Sequence, residues 1–101
     1  MRTALAVLLC CLLLAGCGGT VIISVNSGLV LADAACHNGG GQFDMRNDSG
    51  LLLLVVIGEG TVVFLSSGAT GSCANIHAGA RARVSGNTKN GQINANQVQL
   101  Q

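Results

Sequence analysis

Short β-branched segments separated by clusters of Gly, Asn and Ser fill residues 20–101, and this alternation limits the possible folds more than any other feature of the chain. The chain contains 15 glycines and no proline, and residues 20–101 show no stretch of apolar residues at helical spacing. Short strands between turn residues are typical of an all-β sandwich or barrel. We therefore predict a single all-β domain, a small barrel or sandwich, over residues 20–101.

Turn residues divide the first half of this domain into predicted strands. The alternating segment Val21–Val25 predicts the first strand, Asn26-Ser27-Gly28 predicts a turn, and Leu29–Ala32 starts the next strand. Gly39-Gly40-Gly41 predicts a flexible loop. A short strand at Gln42–Met45 is expected to follow it.

Leu51–Ile57 is a continuous apolar run. It is far shorter than the roughly 20 residues of a membrane-spanning helix, so we expect a strand that is covered on both faces. Gly58-Glu59-Gly60 predicts a tight connection and Thr61–Leu65 a returning strand, which together would form a hairpin. Because an exposed apolar run of this kind favours aggregation, the native fold is expected to cover it.

The last third of the chain shows the clearest strand alternation. Small apolar residues alternate with Arg81 and Arg83 over residues 80–85, which predicts a strand with one buried and one exposed face. The segment Gly86–Gly91 has turn composition throughout.

In the final predicted strand, the apolar residues switch from odd-numbered to even-numbered positions. Ile93 and Ala95 share one face, whereas Val98 and Leu100 share the other. Keeping all four side chains in the core requires one extra residue between them. We therefore predict a β-bulge near Asn96-Gln97.

A family resemblance lies in these same segments. Gly79–Gly86, Asn90–Ala95 and Val98 resemble the closing hairpin of small exported bacterial domains that have an OB-like β-fold. The shared pattern is a glycine, an alternating strand, a glycine, a turn and then Ile-x-Ala-x-x-Val. The resemblance implies an OB-like domain and supplies no catalytic residues.

The N-terminus has the features of an export signal. Arg2 precedes an apolar run, Ala4–Ala15, which is too short to span a bilayer and has no polar face, and this predicts a helical secretory signal peptide. The run ends in Leu14-Ala15-Gly16-Cys17, which resembles the lipobox of bacterial lipoproteins. The resemblance implies cleavage before Cys17, a diacylglycerol on its thiol and acylation of its new amino group, for example by palmitate.

The lipobox resemblance divides the chain into a signal peptide (residues 1–16), a lipid-anchored linker (17–19) and the OB-like domain (20–101). It implies a cell-envelope protein whose first partner is the membrane, through the lipid on Cys17. Gly18 follows the anchor, in place of the aspartate that retains many lipoproteins on the inner membrane of Gram-negative enteric cells. In such a cell we expect outer-membrane placement, facing the periplasm.

Two cysteines remain once cleavage removes two of the five and lipid modifies a third. An even remainder in an exported protein predicts a disulfide between Cys36 and Cys73. The alternatives are free thiols or a metal site, because His37 follows Cys36 directly and His77 lies four positions after Cys73. Adjacent residues in a strand point to opposite faces, which disfavours Cys36 and His37 as joint ligands. Pairing the cysteines would also remove any cysteine nucleophile.

Four cations balance four carboxylates over residues 20–101, and the aromatic residues are Phe43 and Phe64. A near-neutral domain lacks electrostatic attraction for nucleic acid or for an anionic membrane surface, and stacking platforms for bases are missing. We therefore predict no nucleic-acid partner. Arg81, Arg83 and Lys89 form the basic cluster, a candidate face for an anionic ligand or a lipid head group.

Other motifs point away from cofactors and catalysis. The acidic loop Asp44–Gly50 places Arg46 at a calcium-ligand position, and Gly39-Gly40-Gly41 lacks the Lys-Ser/Thr of a phosphate loop. No paired carboxylate or serine constellation marks a hydrolase. We predict no cofactor, no metal and no enzyme activity. The expected function is a non-catalytic binding or structural module with an envelope protein or glycan partner; the alternative is a metal- or redox-responsive lipoprotein using the two Cys/His pairs.

Overall fold

A computed structural model describes residues 23–101, which form strands and one short helix. The predicted signal peptide (residues 1–16), Cys17 and the linker (17–19) lie outside the described residues. No helix within residues 23–101 has the length and hydrophobicity needed to cross a bilayer. The elements are β1 (Ile23–Val30), β2 (Ala35–His37), β3 (Gly40–Asn47), β4 (Leu52–Phe64), β5 (Thr70–Gly71), the 3-10 helix η1 (Cys73–Asn75), β6 (Arg81–Lys89) and β7 (Gln92–Leu100).

Five of these strands close into a barrel. Hydrogen-bonded neighbours follow the ring β1-β3-β4-β7-β6, and β6 pairs with β1 again. β4 and β7 are parallel, whereas the other neighbours in the ring are antiparallel. This order, with the third and fifth barrel strands parallel, is that of the OB-type Greek-key barrel. The all-β prediction is confirmed, and its barrel form is the one observed.

Alternate side chains of every barrel strand fill the interior. Along β4, for example, Leu53, Val55 and Ile57 are buried while the residues between them reach the outer surface. Each such burial contributes roughly 1.5–3 kcal/mol to folding. The buried residues with the largest side chains are Met45, Ile76, Ile93, Val30, Val55, Val84 and Val98.

The predicted β-bulge in the last strand is present. Gln97 pairs with Ser85 and Ala95 pairs with Gly86, so Asn96 has no partner in β6. Ile93, Ala95, Val98 and Leu100 are all buried as a result. The extra residue resets the parity of β7, as its sequence requires.

The predicted turn at Asn26-Ser27-Gly28 is wrong, because these residues lie within β1. β1 pairs continuously with β6 from Ile23 to Leu29. The unbroken ladder of hydrogen bonds to β6 outweighs the local turn preference of Asn, Ser and Gly, which is a weak prior in a sheet.

The predicted hairpin at Gly58-Glu59-Gly60 is also wrong, since β4 runs through these residues without reversing. β7 pairs with β4 on both sides of the segment, at Ile57 and again at Val62, and the register shifts between them. Thr61 stabilises this irregularity: its hydroxyl donates to the carbonyl oxygen of Ala95 at 2.6 Å and accepts from the Gly58 amide at 3.0 Å. The glycines therefore form a bulge rather than a turn.

Two further expectations, for the glycine run at 39–41 and for the apolar run at 51–57, are corrected by the structure. Asn38 and Gly39 form a tight turn, and Gly40 and Gly41 are strand residues rather than a flexible loop. The Leu51–Ile57 run is fully covered on one face only. On the other face Leu52 is 62% exposed, and Leu54 and Val56 are half-buried.

The turn expected over Gly86–Gly91 is narrower than predicted. β6 extends to Lys89, and the chain reverses at Asn90 and Gly91, whose φ angles are 53° and 79°. Two successive positive φ angles in an Asn-Gly pair are the signature of a two-residue hairpin turn.

Candidate functional site

The predicted disulfide between Cys36 and Cys73 is present and joins β2 to η1. The Cα atoms lie 5.9 Å apart, and the bridge spans 37 positions of sequence. Cys36 is exposed and Cys73 is buried. Gly41 packs against the bridge so closely that an added Cβ would lie 2.5 Å from the Cys73 sulfur.

The segment that carries Cys73 is fixed by local hydrogen bonds. The Ser72 amide donates to the Asn75 side-chain oxygen at 2.9 Å, which caps η1. The Ala34 amide donates to the Ile76 carbonyl at 3.0 Å, and Ile76 is itself buried. These contacts hold η1 beside β2, and the disulfide that joins the two elements forms a wall on the surface there.

A cleft of about 460 Å³ opens beside this wall. Gly58, Glu59 and Thr61 of β4 line its floor. Residues 58–61 form no ladder pair with another strand in the described part of the chain. His37 and Glu59 supply its ionisable side chains. We name this surface the disulfide cleft; its lining residues are Cys36, His37, Gly39, Gly40, Gly58, Glu59, Thr61, Val63, Gly71, Ser72, Cys73 and Ala74.

The two Cys/His pairs do not form a metal site in this structure. His37 Nδ1 lies 3.0 Å from the Asn38 carbonyl oxygen, whereas His77 Nδ1 lies 3.7 Å from an oxygen of Asp33. The two sulfurs bond to each other and therefore offer no thiolate to a metal. Residues 23–101 contain no cluster of His, Cys, Asp or Glu able to hold a metal ion.

The predicted basic cluster is spread along one strand. Arg81, Arg83 and Lys89 all lie on the outer face of β6, but Lys89 is eight positions after Arg81, about 26 Å along the strand. Arg81 donates two hydrogen bonds to the Asp48 carboxylate, both at 2.9 Å. The structure therefore brings Arg81 and Arg83 together and places Lys89 at the far end of the same outer face, near Ile23.

Sequence reasoning missed the residues that surround these cations. Leu29 pairs with Arg81 on one side and with Arg46 on the other, and Arg46 in turn pairs with Leu52. Directly paired residues place their side chains on the same face, so cations and leucines alternate across four strands. The sequence signal for this row is the alternation of apolar and polar residues along β1. The turn predicted at Asn26-Ser27-Gly28 divided β1 in two and hid that alternation.

We name this surface the apolar–basic face. Four of its members are exposed aliphatic residues, with exposed fractions of 54% for Ile23, 53% for Val25, 37% for Leu29 and 62% for Leu52. Its cations are Arg46, Arg81, Arg83 and Lys89.

Comparisons with known proteins give no relative: no protein-family model, curated protein or solved structure matches the chain. Fold and site together define an OB-type barrel that carries a disulfide-walled cleft and a separate apolar–basic face.

Proposed function

We propose that this chain is a lipid-anchored, non-catalytic binding module of the cell envelope, and that the disulfide cleft holds an extended segment of a partner protein. The observation that carries the proposal is the cleft itself. Its wall is a disulfide, and its floor is a length of strand without a strand partner.

The disulfide supports placement in the envelope. Disulfides persist in oxidising compartments and are rare in the cytosol, and Cys36 is exposed to solvent reductants. An exported chain whose lipobox-like cysteine is Cys17 would meet such conditions. Two or three acyl chains on one cysteine are enough for stable membrane attachment.

The lining of the cleft supports binding rather than catalysis. Its ionisable side chains are one imidazole and one carboxylate, His37 and Glu59. The Thr61 hydroxyl is already engaged between the Gly58 amide and the Ala95 carbonyl. A hydrolytic site would require an activated nucleophile with an oriented base, and these contacts provide neither.

The floor of the cleft supports a polypeptide ligand. An extended peptide can add to an unpaired strand through main-chain hydrogen bonds, while side-chain pockets supply specificity. Glu59 and Thr61 lie on such a strand, and Gly58 leaves space beside it. The lining carries no Phe, Tyr or Trp side chain for stacking on sugar rings, which favours a protein over a glycan.

The anchor is tested by Cys17→Ser. We expect the variant to accumulate as an uncleaved, unlipidated precursor, because only the thiol can form the thioether. Mass spectrometry of the native mature protein should show lipid on Cys17. An unmodified Cys17 would overturn the anchor.

The cleft is tested by crosslinking in intact cells. A photo-reactive amino acid at position 59 should yield a defined protein adduct, and Gly58→Val should abolish it by filling the cleft. A Cβ added at Gly58 or Gly60 meets no atom within 4 Å, and Gly60 does not line the cleft, so Gly60→Val is the matched control. An adduct that survives Gly58→Val, or that both variants remove equally, would contradict the cleft as the binding site.

A thiol count on the native mature protein separates this proposal from its alternative. A lipidated, disulfide-bonded protein has no free thiol. Two free thiols would remove the wall of the cleft and favour a metal- or redox-responsive protein using Cys36, His37, Cys73 and His77.

A further inference from the structure

We infer that the apolar–basic face lies against the surface of an anionic phospholipid bilayer, with its aliphatic side chains at the acyl boundary and its cations among the phosphates. The inference rests on the proposed lipid anchor and assigns the orientation of the barrel on the membrane.

The aliphatic half of the face is the first argument. Ile23, Val25 and Leu29 occupy successive outward positions of β1, interrupted only by Ser27, and all are exposed. Leu52 continues the apolar surface across the sheet through its pairing with Arg46. Contiguous exposed apolar surface of this kind on a small domain marks an interaction site. Aliphatic side chains bordered by cations are the composition of segments that lie in a membrane interface.

The distribution of charge is the second argument, and it revises the expectation drawn from composition. The described domain is neutral overall, yet all four of its cations lie on this face. Asp44 and Asp48 are also there, the second bound to Arg81. Four cations against two carboxylates leave a net charge of +2 on the face. The other two carboxylates lie elsewhere: Asp33 is close to His77, and Glu59 lines the disulfide cleft. Each cation near an anionic leaflet adds to the attraction between the face and the membrane.

The length of the tether is the third argument. Ile23 is the sixth residue after Cys17, so even a fully extended linker reaches only about 20 Å. β1 must therefore start close to the head groups. Docking through β1 leaves the cleft available, because no residue of the cleft lining belongs to the face.

A single introduced tryptophan tests the orientation, since the chain has none of its own. Full-length lipidated protein would be reconstituted into vesicles of brominated phosphatidylcholine mixed with phosphatidylglycerol. The Val25→Trp variant should lose most of its emission to bromine quenching and shift to shorter wavelength. Val62→Trp, at a 42% exposed position outside the face, should keep the emission of a solvent-exposed indole.

Charge is tested in the same vesicles. Quenching of Val25→Trp should increase with phosphatidylglycerol content and decrease with added salt. The double substitution Arg83→Gln/Lys89→Gln in that background should remove most of this dependence. Ile23→Trp provides a second reporter if Val25→Trp does not fold.

The outcomes are separable. Vesicle flotation with lipid on Cys17, but equal and weak quenching at positions 25 and 62, would overturn the inference and leave the anchor intact. Blue-shifted yet unquenched emission at position 25 would show that a protein or a second copy covers the face, which also overturns it. Failure to float, with Cys17 unmodified, would overturn both the anchor and the inference.

Discussion

Gly41 shows how one residue determines the wall of the cleft. It pairs with Cys36 in β2 and with Ile57 in β4, and it faces the buried Cys73 sulfur. An added Cβ would lie 2.5 Å from both that sulfur and the Ala35 carbonyl oxygen. Backbone and disulfide can approach this closely because the position has no side chain.

We expect Gly41→Ala to destabilise the domain by about 1–3 kcal/mol, the usual cost of overpacking, and to slow formation of the disulfide. Urea unfolding monitored by circular dichroism would measure the free energy, and a thiol assay the oxidation. Gly58→Ala is the control, since its Cβ meets no atom within 4 Å. Equal stability of the two variants would contradict the packing described here.

At the scale of the strands, β7 shows what a sequence can reveal. The apolar residues of β7 switch from odd to even positions between Ala95 and Val98, so the bulge at Asn96 could be predicted from the sequence. The course of β4 was not, because the glycines at 58 and 60 resemble a turn locally. β4 continues through these glycines because it pairs with its parallel partner β7 and because the Thr61 hydroxyl donates to the Ala95 carbonyl. Neither contact can be recognised from the sequence around residues 58–60.

The candidate surfaces were predictable to different degrees for a similar reason. Counting cysteines identified the Cys36–Cys73 pair, but the unpaired floor of the cleft depends on strand pairing. Arg81 and Arg83 were visible as one face of a strand, whereas Arg46 joins them only through Leu29 in the folded barrel. Composition gives the sum of charges and not their directions.

Deleting Asn96 should be far more damaging than changing it. Without the extra residue, one of two pairs would point outward: either Val98 and Leu100, or Ile93 and Ala95. Burial of a large aliphatic side chain contributes roughly 1.5–3 kcal/mol, so exposing one pair would cost several kcal/mol of stability. Asn96→Ala retains the spacing and should change stability by less than about 0.5 kcal/mol, as for most surface positions. Thermal unfolding compares the two. A deletion variant as stable as the substitution would show that the bulge does not set the register.

For the whole molecule, the disulfide is the covalent restraint that a small barrel most needs. It closes a loop of 37 positions, which stabilises the fold by roughly 3–4 kcal/mol in the chain-entropy model. Cys36→Ala and Cys73→Ala should therefore destabilise to similar extents, and the double variant should be no worse than either single one. Denaturant unfolding of the three proteins gives the comparison. A double variant much weaker than both singles would show that the cysteines act independently.

The parallel pairing of β4 with β7 determines the order in which the barrel can assemble. β1, β3 and β4 are joined by antiparallel pairings and can form a three-stranded sheet before the later strands are added. The β6–β7 hairpin, with its two-residue turn, then forms locally within microseconds. Its docking against β4 and against β1 joins strands distant in sequence. Such contacts form late because loop closure must precede them. Until that moment one edge of Leu51–Ile57 has no partner, so neighbouring copies compete for it. A high concentration of unfolded chains should therefore reduce the yield of folded protein more than it affects the stability of the finished barrel.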